Sequence, residues 1–144
     1  MKNFDEMIAM VQSRPQTKRV VLAAAQDDHS LEAIYRAKRD GLVIPVLVGD
    51  KAKIEAILAQ LGESIEPENL YDVPDVEAAA AKAVELIREG KADFLMKGKL
   101  ETAQLLRAVV NRETGLRTGR TMSHVTLFSV PTYHKLLAAT DGGM

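Results

Sequence analysis

Hydrophobic positions along the chain follow two alternating patterns, short continuous apolar runs and longer stretches in which apolar residues recur every three or four positions. A short continuous run is typical of a strand buried on both faces of a parallel sheet, whereas the longer recurrence predicts an amphipathic helix. The runs predict strands over residues 19–25, 42–48, 70–73 and 93–96, and the recurrence predicts helices over residues 4–11, 31–37, 54–61, 76–87 and 102–110.

Two further strands are predicted near the end of the sequence, over residues 125–130 and 136–139, with a turn at Pro131 and Thr132 between them. Such an arrangement predicts an antiparallel hairpin, which we place at one side of the main sheet. The repeated alternation of strand and helix before it predicts an α/β fold with three layers, α-β-α, around a mostly parallel sheet. The length suits one domain over residues 1–144.

Composition and charge argue against several classes of protein and of site. The 144 residues include 19 Lys and Arg against 20 Asp and Glu, a net charge of -1, which offers no overall basic character for binding nucleic acid. The absence of cysteine excludes disulfides and thiolate metal sites, and the three histidines lack the spacing of metal ligands. No apolar stretch reaches the length of a membrane span and the amino terminus does not resemble a signal peptide, so we expect no membrane association and a cytoplasmic protein.

The turn between the strand 93–96 and the helix 102–110 carries the strongest candidate site. Lys97, Gly98 and Lys99 lie where the strand hands over to the helix, and Thr102 adds a hydroxyl group. Free backbone N–H groups and the helix dipole favour an anion at such a position, and ligands of open α/β sheets bind at the carboxyl ends of the strands. The four residues therefore suit phosphate oxygens. The alternative is a solvated turn with two surface lysines, and neither the GxxxxGK[ST] nor the GxGxxG phosphate-binding spacing is present.

Four other residues are weaker candidates. Arg107 lies about one helical turn beyond Thr102 and could reach back toward an anion, although a lone helical arginine is more often a surface residue. Ser123 and His124 are adjacent, but the GxSxG context of a hydrolase is lacking. Asp141 follows the last predicted strand, where it is either a functional carboxylate or a turn residue.

Four segments together resemble a known family. They are AAAQDDHSLEAI (23–34), ADFLMKGKLETAQLLRAVVN (92–111), GLRTGRTMSHV (115–125) and LLAATDGGM (136–144). In this order they resemble the N-terminal part of the phosphate acetyl/butyryltransferases, and the butyryl branch most. Related phosphotransacetylases carry Ser-Gly and Ser-Thr where this chain has Lys97-Gly98 and Glu101-Thr102, and they have an arginine that matches Arg107. By this resemblance Gly98, Thr102 and Arg107 carry over from the family, whereas Lys97 and Lys99 follow the butyryl branch.

The resemblance implies a two-domain α/β enzyme of roughly twice this length, commonly a homo-oligomer, with its active site between the domains. The implied reaction is reversible acyl transfer from acyl-CoA to phosphate, which gives acyl phosphate and CoA. Coenzyme A is then a substrate, and no metal or other cofactor is implied. The catalytic serine, arginine and aspartate of the family lie in the C-terminal half, so we expect these 144 residues to be a first domain that lacks its partner and is inactive alone.

Two other functions stay open at this point. The same fold could serve as a non-catalytic domain that binds an anion or another ligand for regulation. A piece of an oxidoreductase related to isopropylmalate dehydrogenase is a weaker alternative, because such an enzyme would need NAD and a divalent metal, and the sequence has no carboxylate cluster for the metal. The coding sequence beyond Met144 would separate the enzyme from the regulatory domain.

Overall fold

The structure is a computed structural model that describes residues 1–142; Gly143 and Met144, the end of the last family-like segment, lie outside the described residues. Two compact units are present, one from Thr17 to Arg117 and the other comprising Met1–Gln16 and the chain from Thr118 onward. The expected second domain and the single-domain boundaries stay predictions. No helix within residues 1–142 combines the length and the apolar character needed to cross a membrane.

The helices and strands follow the predicted order, and their boundaries differ from the predicted ones by at most three residues. They are α1 Phe4–Gln12, β1 Lys18–Ala23, α2 Asp28–Arg39, β2 Val43–Gly49, α3 Lys51–Leu61, a 3-10 helix Pro67–Asn69, β3 Leu70–Asp72, α4 Val76–Arg88, β4 Phe94–Lys97, α5 Thr102–Val109, β5 Val125–Phe128 and β6 Leu137–Thr140.

A four-stranded parallel sheet in the order β3-β2-β1-β4 forms the centre of the Thr17–Arg117 unit. Side chains of a strand alternate between the two faces, so β1 contributes Val21 and Ala23 to one core and Val20 and Leu22 to the other. The first core is closed by α4 and α5, and the second by α2 and α3. The predicted three-layer α-β-α architecture with a parallel sheet is confirmed.

Aspartates fix where three of the helices begin. The carboxylates of Asp27, Asp50 and Asp75 accept hydrogen bonds from backbone N–H groups three residues later, at the starts of α2, α3 and α4 respectively. Such a cap satisfies a helical N–H group that has no partner within the helix. Because these helices follow strands β1, β2 and β3, the capped ends gather at the carboxyl edge of the sheet.

Pro45 lies within β2 although β2 has a strand on each side. Pairing with β3 begins only at Leu47, so Pro45 is paired with Val20 of β1 alone. Proline lacks an N–H group and is tolerated where one flank of a strand carries no partner. Pro45 lies in the part of β2 that has a partner strand on one flank only.

The other unit contains α1 and the antiparallel pair of β5 and β6, in the register Val125 with Thr140 through Phe128 with Leu137. The predicted antiparallel hairpin is therefore confirmed. Its predicted position at one side of the main sheet is wrong, because β5 and β6 form a two-stranded sheet of their own within the described chain. No residue of α1 is buried, and all four residues of β5 are exposed.

Candidate functional site

The turn after β4 begins as a continuation of the parallel ladder with β1. The Gly98 N–H group donates to the Ala23 carbonyl at 2.9 Å, and the Lys99 N–H group donates to the Ala24 carbonyl at 2.8 Å. These two amides, which the sequence offered as anion donors, are therefore satisfied within the protein. Any ligand has to bind further along the turn, toward α5.

Gly98 is needed because the turn passes very close to the end of β1. A Cβ atom at position 98 would lie 2.3 Å from the Ala24 oxygen and 2.5 Å from the Ala23 oxygen, far inside van der Waals contact. Ala24 itself has a φ of 54°, a left-handed conformation that is uncommon for a residue with a Cβ. The close approach that requires glycine at position 98 is therefore to the protein's own backbone.

The first turn of α5 supplies the N–H groups that remain. The Glu101 N–H group donates to the Gln104 Oε1 atom at 3.0 Å, an arrangement that fixes the start of the helix. Within residues 1–142, the N–H groups of Thr102 and Ala103 face no acceptor, as is usual for the first amides of a helix. With the helix dipole, these two amides make the start of α5 favourable for an anion.

The two lysines of the turn lie in different environments. The Lys97 Nζ atom donates to the Leu100 carbonyl at 2.8 Å and lies 3.4 Å from the Gly98 oxygen. The Lys99 side chain is exposed and makes no hydrogen bond or ion pair with the described part of the chain. Lys97 is exposed as well, so the difference is that the Lys99 ammonium group has no hydrogen-bond partner in the described part of the chain.

Asp27, the cap of α2, lies within electrostatic range of Lys99. Hydrogen bonds from the Ser30 hydroxyl and backbone N–H group lower the pKa of Asp27, and electrostatic interactions with His29 and Lys99 lower it further. Asp27 is thus ionised at neutral pH and partly offsets the charge of Lys99. A phosphate at this turn would meet both charges.

A small open cavity of about 400 Å³ lies over the turn. Its lining includes both lysines and Gly98, together with residues of α4 and α5 that the sequence did not single out. The lining residues are Val76, Lys97, Gly98, Lys99, Leu100, Glu101 and Gln104. Gln104 was missed, although the Glu-x-x-Gln spacing of a capping box, Glu101 to Gln104, was the available signal.

Thr102 and Arg107 are not part of this lining. Thr102 is exposed at the first position of α5. Arg107 lines a separate groove of about 660 Å³ between α4 and α5, where its Nη1 atom lies 3.2 Å from the Glu77 Oε1 atom. Gln104 lines both cavities. The structure therefore brings Lys97, Gly98 and Lys99 together and places Arg107 one groove away.

Ser123, His124 and Asp141 belong to the other unit. The Asp141 carboxylate accepts the His124 N–H group at 3.1 Å, and the Asp141 N–H group donates to the His124 carbonyl at 2.8 Å. Asp141 has a φ of 56°, so its side chain takes over as acceptor in extending the β5–β6 ladder. This geometry gives Asp141 the turn role that the sequence left open, while Ser123 is exposed.

The chain is thus an α/β protein with a parallel sheet, and a cationic turn and a helix N-terminus lie at the carboxyl edge of that sheet, an arrangement that favours an anion. The comparison with protein families is specific: the model described as phosphate acetyl/butaryl transferase matches residues 62–144. This chain belongs to that family. The match includes the turn and α5.

Individual relatives agree with this assignment. The chain is 45% identical over 140 residues to a phosphate butyryltransferase of Clostridium acetobutylicum, with 97% of this chain and 46% of the relative covered. It is 39% identical over 132 residues to a phosphate acetyltransferase of Thermotoga maritima, with 92% and 45% covered. The chain thus spans about half the length of the curated relatives it matches.

Solved structures of phosphotransacetylases share the fold. A phosphotransacetylase from Streptococcus pyogenes superposes with a TM-score of 0.73 at 15% identity, over 94% of this chain and 50% of that one. A branched-chain phosphotransacylase from Enterococcus faecalis gives a TM-score of 0.68 at 24% identity, over 89% and 44%. At these identities the likeness concerns the fold alone.

Proposed function

We propose that this chain forms the phosphate side of a phosphate acyltransferase of the butyryl type, which interconverts acyl-CoA plus phosphate with acyl phosphate plus CoA. The observation that carries the proposal is the open cavity over the turn, which Lys97, Gly98 and Lys99 line, together with the unpaired amides of Thr102 and Ala103 that begin α5 directly after the turn. The names of the relatives support the reaction.

In this reaction the CoA thiolate attacks the acyl carbon of the acyl phosphate. A carbon–sulfur bond forms, the carbon–oxygen bond to phosphate breaks, and phosphate leaves with the electron pair. Negative charge grows on the carbonyl oxygen and on the departing phosphate, so fixed cations and N–H groups lower the barrier. Lys99 and the α5 amides would hold the phosphate oxygens, which requires no metal and no prosthetic group.

The remaining residues have supporting parts in the proposal. Gly98 keeps the turn against β1, and Lys97 lies in the cavity wall. Thr102 offers a hydroxyl group at the start of α5, and Arg107 would have to exchange Glu77 for the anion. We place the catalytic groups outside these 144 residues, in a further domain, and propose a homo-oligomeric cytoplasmic enzyme.

Activity measurements test this proposal. In the protein expressed from the full reading frame that contains this chain, butyryl-CoA and phosphate should react to give butyryl phosphate. Lys99→Met should raise the KM for phosphate about tenfold, the value of one charged hydrogen bond, with a smaller change in kcat. Lys38→Met, on α2, is the control.

The isolated 144-residue chain should bind phosphate without turnover. If this chain alone catalyses the reaction, the proposed division of the active site between domains is wrong. If the full protein binds phosphate and shows no acyl transfer with any acyl-CoA, the regulatory anion-binding function replaces the enzyme.

A further inference from the structure

The turn contains two cations separated by one residue, and only one of them is directed at the protein itself. The Lys97 ammonium group lies 2.8 Å from the Leu100 oxygen and 3.4 Å from the Gly98 oxygen. Lys97 is the last residue of β4, so its backbone is held in the sheet opposite Ala23. Its side chain therefore spans from the end of the sheet to the start of the turn that follows.

The carbonyl groups that Lys97 contacts would otherwise oppose an anion. Carbonyl oxygens carry partial negative charge, and the Gly98 oxygen already accepts the Leu100 N–H group at 3.0 Å. An ammonium group that bridges the Gly98 and Leu100 oxygens compensates this charge and ties the two ends of the turn together. Charge-assisted hydrogen bonds of this kind are stronger than those between neutral groups.

The rest of the turn is held independently of Lys97. Gly98 is pinned by its hydrogen bond to the Ala23 carbonyl, and the Leu100 side chain is 8% exposed and packs in the core beneath α4 and α5. Between these anchors, the Leu100 carbonyl shares a planar peptide unit with the Glu101 N–H group, which donates to the Gln104 Oε1 atom at 3.0 Å. The orientation of this peptide unit, which leads into α5, therefore depends on two contacts, Gln104 at its N–H group and the Lys97 ammonium group at its carbonyl.

We infer that Lys97 is a positioning residue, whose ammonium group holds the Gly98 and Leu100 carbonyls and so aims the first amides of α5, while Lys99 alone contacts the phosphate as a cation. This assignment rests on the proposed function, because it divides the work at the proposed phosphate site. It separates two lysines that sequence spacing treats as equivalent.

Three variants of the chain test the assignment, with inorganic phosphate as the probe. Lys97→Met removes the charge and the donors, Lys97→Arg keeps both, and Lys99→Met is the matched control. Amide hydrogen exchange of Leu100, Glu101 and Gln104, whose N–H groups donate hydrogen bonds, is measured without phosphate. The Kd for phosphate is then measured at low and high ionic strength, because a directly contacting charge makes affinity depend on salt.

Lys97→Met should accelerate exchange of these amides about tenfold and weaken phosphate binding, yet retain the salt dependence of the Kd. Lys97→Arg should restore slow exchange. Lys99→Met should leave exchange unchanged, weaken binding about tenfold and reduce the salt dependence.

Unchanged exchange in Lys97→Met, or a loss of salt dependence equal to that of Lys99→Met, would overturn the assignment. If the wild-type chain binds no phosphate, the proposed function fails, and the exchange rates alone decide whether Lys97 positions the turn.

Discussion

The two ends of the β1–β4 strand pair differ in how they use charge. At the amino end, the Asp93 carboxylate accepts the Arg19 N–H group at 2.7 Å and the Arg19 Nε atom at 3.3 Å. The Arg19 Nη2 atom also donates to the Gly90 carbonyl at 2.6 Å. Cation, carboxylate and helix end thus neutralise one another within the protein.

At the carboxyl end the backbone is held as tightly, but the Lys99 ammonium group has no ion-pair partner in the described chain. Gly98 is fixed against Ala23 and Ala24, whereas the Lys99 side chain has no hydrogen-bond partner in the described chain and the α5 amides are open. The same strand pair is thus closed by internal partners at one end and has donors without partners in the described chain at the other, where we propose that the ligand binds.

The largest effect is expected from Gly98→Ala, which tests how tightly the carboxyl end is packed. The new methyl group would meet backbone oxygens of β1 that cannot move aside, so the free energy of unfolding should fall by about 3 kcal/mol. Urea denaturation measures this change.

Gly62→Ala is the matched control for Gly98→Ala. Gly62 has a φ of +67° with nothing within 4 Å of the added Cβ atom. The free energy of unfolding should therefore fall only by the cost of placing alanine in a left-handed conformation, about 1 kcal/mol. Equal losses of unfolding free energy in the two variants would show that the close backbone contact at Gly98 adds nothing to the cost of a side chain there.

The next effect is the pH-dependent stability that the Arg19–Asp93 pair contributes at the amino end of the strand pair. Hydrogen bonds from the Arg19 backbone and side chain hold the pKa of Asp93 below its ordinary value. A carboxyl group with a lowered folded-state pKa stabilises the fold above its unfolded-state pKa, and this contribution is lost as the pH falls through the folded value. Asp93→Asn should therefore destabilise the protein at pH 7 and lose less stability than the wild type between about pH 5 and pH 3.

Thermal unfolding across this pH range measures the difference. Glu68→Gln, a change in the exposed 3-10 helix, should leave the wild-type pH profile in place. If Asp93→Asn and the wild type lose stability in parallel on acidification, the Arg19–Asp93 pair does not provide the pH-dependent stability assigned to it.

The smallest effect is expected from Glu77→Gln, which releases Arg107. Both side chains of this ion pair are mostly exposed, at 72% and 63%, so the free energy of unfolding should change by less than about 0.5 kcal/mol. If Arg107 takes part in the proposed site, the released guanidinium should tighten phosphate binding about twofold, measured by titration, because a screened surface charge contributes little. Glu85→Gln, which breaks the Lys82–Glu85 pair, should leave affinity unchanged, and an identical affinity in Glu77→Gln would remove Arg107 from the site.

Sequence pattern predicted the main sheet well because its signals are local. Continuous apolar runs and aspartate caps mark β1, β2 and the helices that follow them, and the helix-start pattern located the turn at 97–102. The hairpin of β5 and β6 was also predicted from its local turn. Its placement beside the main sheet was wrong, because strand pairing between distant segments is not encoded in the strands' own pattern.

The geometry of the candidate site depended on contacts between distant residues. That the amides of Gly98 and Lys99 bond to Ala23 and Ala24 follows from the parallel register, which the local sequence does not reveal. The proximity of Asp27 to Lys99 has the same origin. The direction of the Lys97 side chain depends on a carbonyl only three residues away, yet periodicity carries no information about side-chain direction.

Phosphate titration of the 144-residue chain, followed by the amide resonances of Lys99, Thr102 and Ala103, shows directly whether the carboxyl end of the strand pair binds phosphate. We expect saturable shifts at these three amides, with the resonances of Arg19 and Asp93 at the amino end unchanged. The absence of saturable shifts at the turn, or equal shifts at both ends of the strand pair, would mean that the carboxyl end is not a phosphate site.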